Sequence, residues 1–148
     1  MNLMHSLKWM LIGSIMIGLY FNGMNILAYR FDDLYFSSKT LIYSAFLMAS
    51  NMCILEILMF YDHSGKFNAK LFALFMITSI LLVLMLRKQF LIGDKDWLKR
   101  MISHHSTALT TSHHIHKRTK NKRIKILASD IIETQEKEIK LMKELLQQ

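Results

Sequence analysis

The sequence predicts an all-α membrane protein, three transmembrane helices followed by an antiparallel two-helix hairpin, and three observations carry that expectation. The chain has 148 residues, no proline, 52% hydrophobic residues and a mean hydropathy of +0.23. That composition excludes disordered, collagenous and disulfide-stapled proteins. Charge is uneven: residues 1–86 carry five Lys/Arg and four Asp/Glu, residues 87–148 carry fourteen and seven, so the net charges are +1 and +7. The polar part also shows a helical period twice. The expected division is therefore a span region over 1–90 and a helical region over 91–148. The single cysteine, Cys53, lies in an apolar run without a partner and says nothing about redox compartment.

Trp9 to Tyr29 has no charged residue over 21 positions, enough at about 1.5 Å per residue to cross a hydrocarbon core of roughly 30 Å. It is too long for a signal peptide and shows no small-x-small cleavage signal near Ala28. A second run, Leu41 to Tyr61, is interrupted only by Glu56, and a third, Leu71 to Leu86, spans if flanking Lys/Arg stems extend it. Short polar links, Arg30 to Thr40 and Asp62 to Lys70, suit antiparallel neighbours. Ser14 and Gly18 form a small-xxx-small pair for close helix packing. On the second run Met48, Met52, Glu56 and Met59 share one stripe, either flexible packing with a snorkelling carboxyl group or a thioether path for a cation. Packing is the favoured reading.

Beyond Arg87 and Lys88, Gly93 and Asp94 open the polar region. At about 100° per residue, Trp97, Met101, His104, His105 and Ala108 share one arc, and so do Ala128, Ile131, Gln135, Glu138, Ile139 and Met142. The basic stretch Lys117 to Arg123, with Asn121, is the natural turn between two amphipathic helices. With a turn near residues 119 and 120, Met101 faces Glu138, His104 faces Gln135, and Trp97 faces Met142. Imidazole with thioether is a donor set suited to copper, since thioethers select Cu(I) and imidazole accepts either oxidation state. Gln135 and Glu138 would then orient the imidazoles from behind. Pattern alone favours ordinary packed or hydrogen-bonded histidines over ligands. So small a helix pair buries little apolar surface, which predicts a homo-oligomer or docking on the membrane part.

The stretch Asp96-Trp-Leu-Lys-Arg-Met-Ile-Ser-His-His-Ser-Thr-Ala-Leu, followed by Leu127-Ala-Ser-Asp-Ile-Ile-Glu-Thr-Gln-Glu-Lys-Glu-Ile-Lys-Leu-Met142, resembles the domain of unknown function 305 family. That family's pattern is Met-Ile-Pro-His-His…Ala, then Leu-Ala…Ile-Ile…Gln…Glu-Ile…Met, and the match covers about the last third of the chain. The resemblance implies a ferritin-like half-bundle, with a three-span membrane version among its forms and copper-binding or copper-resistance proteins outside the cytoplasm among its members. It marks Met101, His104, His105 and Met142 as candidate metal ligands, with Gln135 and Glu138 in support. Ser103 stands where the family has proline, and Thr111 where a methionine is common. His113, His114 and His116 are additional. They are a possible secondary metal site, though a solvated helix end beside a basic turn is the commoner use of such a cluster.

No nucleophile elbow, phosphate-cradling glycine loop or zincin motif is present, so no enzyme activity is expected. The basic turn has no interleaved aromatic residues, which disfavours nucleic acid and leaves solvent or the lipid bilayer as its partner. The positive-inside count points to a cytoplasmic hairpin, whereas the resemblance implies a periplasmic or exoplasmic one on a bacterial inner membrane. The expectation follows the resemblance: a membrane-anchored protein binding copper for metal homeostasis or sequestration. The alternative is a structural or interaction protein whose hairpin drives oligomerisation.

Overall fold

The computed structural model describes residues 2–148, and all regular secondary structure among them is helical. The elements are α1 (Leu3–Tyr20), α2 (Gly23–Ile26), a 3-10 turn (Phe31–Asp33), α3 (Lys39–Ser64), α4 (Ala69–Arg87), α5 (Asp94–Arg118) and α6 (Lys122–Leu146). They gather into two compact units: the chain up to Phe21 with Lys39–Ile92, and Asn22–Ser38 with Gly93–Gln148.

In the first unit, Leu3, Leu7, Cys53 and Ile57 form a buried cluster edged by Met10, Leu11, Phe60, Leu71, Phe72 and Phe75. Three helical stretches, Leu3–Ile26, Lys39–Ser64 and Ala69–Arg87, are long and apolar enough to cross a membrane. The first differs from the expected run. Its helix starts at Leu3 and breaks after Tyr20, because the Asn22 side chain accepts hydrogen bonds from the backbone N–H groups of Met24 and Asn25 and starts a new turn. The small-xxx-small pair works as expected: a Cβ on Gly18 would stand 2.8 Å from Ala45 Cα, so the two backbones touch where only glycine fits. Between α3 and α4 polar bonds add to the apolar contact of the buried cluster, with Ser50 Oγ donating to the Phe75 carbonyl (2.9 Å) and Ser79 Oγ reaching Ser50 Oγ (3.0 Å) and Asn51 Oδ1 (2.9 Å). Elsewhere α4 turns Leu74, Ile77, Ile80, Leu81 and Leu84 outward. After α4 the chain reverses through Gln89 and Leu91, both at positive φ (50° and 57°), while Lys39 Nζ holds the Leu91 carbonyl at 2.8 Å.

In the second unit α5 and α6 pack along one another through Leu98, Ile102, Leu109, Ile139 and Met142, joined by only three residues, 119–121. The expected basic turn is tighter than the stretch that predicted it, since helix continues through Arg118 and resumes at Lys122. Asn121 Oδ1 caps α6 by accepting from the Arg123 and Ile124 N–H groups.

The division expected at 90/91 omits a segment. Asn22–Ser38 belongs with the polar helices, held by a stripe of small polar residues on α5. Ser103 Oγ donates to the Asp33 carbonyl (2.7 Å) and Thr107 Oγ1 to the Met24 carbonyl (3.1 Å). Ser106 Oγ donates to Asp33 Oδ2 (2.7 Å) and accepts from the Tyr29 N–H (2.8 Å). The Asp33 side chain is wholly buried, and Lys143 Nζ of α6 lies 2.6 Å from its other oxygen and 2.6 Å from Asp32. Lys143 hydrogen-bonding and charge pull the Asp32 carboxyl below its ordinary range. Burial alone would lower the Lys143 pKa, but its hydrogen bonds to Asp32 and Asp33 outweigh that and raise it.

Candidate functional site

On one side of the α5–α6 pair runs a groove of about 540 Å³, lined by Trp97, Leu98, Met101, His105, Gln135, Glu138, Leu141, Met142 and Leu145. The helical period puts these residues there: Trp97, Met101 and His105 repeat every four positions on α5, while Gln135, Glu138, Met142 and Leu145 repeat every three or four on α6. The groove therefore gathers Met101, His105, Met142, Gln135 and Glu138 of the expected set. It does not gather His104, which is exposed on the neighbouring face with its ring centroid 5.9 Å from that of His105. Adjacent residues on a helix diverge by about 100°, so a His-His pair rarely points both rings into one cleft.

Opposite Glu138 stands His105 rather than Met101, with Nδ1 3.1 Å from Glu138 Oε2. The contact lacks hydrogen-bond alignment, and Nδ1 is a buried ring nitrogen without a hydrogen-bond partner. Burial lowers the His105 pKa, the Glu138 charge opposes that, and His104 adds to it. The net direction favours the neutral imidazole, which keeps a lone pair for a ligand. Gln135 Nε2 reaches Glu138 Oε2 at 3.5 Å. The arrangement holds one desolvated imidazole, one carboxylate and two thioethers along a single cleft.

His113, His114 and His116 do not form a cluster. The His113 ring stacks on Tyr29, centroids 4.8 Å apart, while His114 is exposed on another face. Among the described residues no three His, Cys, Asp or Glu side chains stand close enough to hold a metal ion by themselves. Any site in the groove thus depends on its sulfurs.

Sequence reasoning missed Asp33 and Lys143, which fix α6 against the Asn22–Ser38 segment from a separation of 110 positions. The available signal was the run of small polar residues Ser103, Ser106, Thr107 and Thr110 along one α5 face. Such a stripe on an otherwise apolar-facing helix invites a backbone to dock there.

A family profile for a domain of unknown function, DUF305, matches residues 88–148. An uncharacterized protein, L153 of Acanthamoeba polyphaga mimivirus, is 36% identical over 137 residues, covering 93% of this chain and 88% of the relative. No solved structure matches the chain.

Proposed function

Since this chain belongs to the DUF305 family, we propose that it is a membrane-anchored protein whose polar unit binds a soft metal ion, copper foremost, for homeostasis or sequestration. In this reading the three apolar helices are the membrane anchor. The α5–α6 pair is an antiparallel hairpin, half of a ferritin-like four-helix bundle, on the exoplasmic side. The observation that carries the proposal is the His105 imidazole, its Nδ1 3.1 Å from Glu138 Oε2, in a groove it shares with the Met101 and Met142 thioethers. Two thioethers and a neutral imidazole fit Cu(I), and the Glu138 carboxylate beside them offsets the ion's charge. His104 joins as a rim ligand only if its side chain swings toward the groove.

Titration of the untagged full-length protein with Cu(I) tests this. A His105→Ala variant should bind at least about tenfold more weakly than wild type, and Met101→Leu/Met142→Leu should do the same while preserving core volume. Equal uptake by all three proteins rejects the reading. A reporter fused after Gln148 tests the orientation, and activity confined to the cytoplasm rejects the exoplasmic placement.

The groove's rim favours a second reading. Trp97, Leu141 and Leu145 are 50%, 55% and 43% exposed beside it. A second copy of the chain laid on this face would bury them, giving an interaction protein in which the histidines merely pack. Here Trp97→Ala should lower the cross-linked or detergent-solubilised size, and added metal should leave that size unchanged.

A further inference from the structure

Glu56 is the one acidic side chain in the interior of α3, and it does not snorkel. It is 5% exposed, and its Oε1 accepts a hydrogen bond from Ser6 Oγ on α1. An ionisable group held inside an apolar helix bundle costs free energy that packing alone does not return, so its surroundings call for an explanation. Beside it lies a cavity of about 470 Å³ lined by Glu56, Met59, Phe60, His63 and Ser64. His63 Nδ1 lies 2.8 Å from the Met59 carbonyl oxygen. That oxygen only accepts, so Nδ1 carries the proton, and in the neutral ring the Nε2 lone pair is left free. Carboxylate, thioether and imidazole therefore line one cavity from positions i, i+3 and i+7 of a single helix face.

Charge decides which ion suits this set. One carboxylate with two uncharged donors makes a neutral assembly with a monovalent cation, whereas a divalent one would leave net charge beside the buried Glu56 carboxyl group. Thioether and imidazole reject the hard alkali cations and favour a soft ion. We propose that the Glu56–Met59–His63 cavity is a second cation site, separate from the α5–α6 groove and selective for a soft monovalent ion of the Cu(I) class. Glu56 supplies the charge, Met59 and His63 supply the soft donors, and Ser6 orients the carboxylate.

The test uses the full-length untagged protein in detergent, loaded with Ag(I) as a redox-inert probe and desalted before elemental analysis. In a Met101→Leu/His105→Ala/Met142→Leu background, which disables the groove, about one Ag(I) per chain should remain. Adding Met59→Leu and His63→Ala, both at exposed positions, should remove it, while Glu56→Gln, which can still accept from Ser6, should weaken it about tenfold or more. Retention of that ion after the Met59 and His63 changes overturns the proposal, as does its absence from the groove-disabled background with helicity unchanged. A wild type whose binding is insensitive to the groove changes but abolished by Met59→Leu/His63→Ala would reject the groove reading and leave this one standing.

Discussion

The two units of this chain use the same helical secondary structure to opposite ends. In the first, apolar side chains point outward as well as inward: Leu74, Ile77, Ile80, Leu81 and Leu84 of α4 are half exposed, and the close contacts are made by Gly18, Ala45, Ser50 and Ser79. In the second, a core of Leu98, Ile102, Leu109, Ile139 and Met142 joins the two long helices, and a buried carboxylate, Asp33, is paired with Lys143. Lipid and water would demand different packing of a helix. A helix surrounded by lipid gains nothing by hiding leucine and associates through close backbone approach and interhelical hydrogen bonds. A helix pair in water gains about 25 cal/mol for each Å² of apolar surface it hides, and needs every buried charge matched.

The sharpest way to break the comparison is Lys143→Met. It strands the wholly buried Asp33 carboxylate, and removing one partner of a buried pair costs about 3–5 kcal/mol. Hydrogen exchange should lose protection in α5, α6 and Asn22–Ser38 while α1, α3 and α4 keep theirs. Loss spread evenly over both units would show that they do not differ in this way. Next in size is Ile139→Ala, at a position 2% exposed, which should destabilise the second unit by about 2–5 kcal/mol in denaturant titration. Leu84→Ala, half exposed on α4, should cost far less in lipid. Gly18→Val tests the first unit's own rule. Its new Cβ meets Ala45 backbone at 2.8 Å, and overpacking of this kind costs about 1–3 kcal/mol, seen as a lowered thermal midpoint in detergent.

The smallest effect is on pH. Asp32 has a lowered pKa in the fold, so its pairing with Lys143 contributes above the ordinary carboxylate value of 3.8 and is lost as pH falls through the lowered one. Lys143, with a raised pKa, contributes below its ordinary 10.5 and loses that contribution as pH rises through the raised value. The Asp32 side chain is 69% exposed, so the gap between wild type and Asp32→Asn should be below about 1 kcal/mol at pH 7 and shrink below pH 4. A gap that widens on acidification contradicts the sign.

Legibility in the sequence followed the same divide. Apolar run length located the three candidate spans, and the helical period located α5, α6 and all but one of the residues expected in the groove, because both signals are local. The end of α1 was hidden because Tyr20 to Tyr29 stays uncharged while Asn22, a single capping side chain, restarts the helix. The clamp of Asp33 onto Ser103, Ser106 and Lys143 was hidden because its partners lie 70 or more positions away, and no periodicity encodes a buried ion pair. His104 was misplaced for a simpler reason: a 100° arc admits its Cα position, but its side chain leaves the groove on the exposed edge.

The central claim, that thioethers and an imidazole in the α5–α6 groove hold a soft ion, is tested most directly by X-ray absorption at the copper edge. The sample is Cu(I)-loaded full-length protein carrying Met59→Leu/His63→Ala, so that only the groove can report. Mixed sulfur and nitrogen scattering is expected, with the sulfur component lost in Met101→Leu/Met142→Leu. Scattering by nitrogen and oxygen alone, or sulfur scattering unchanged by those two substitutions, would contradict it.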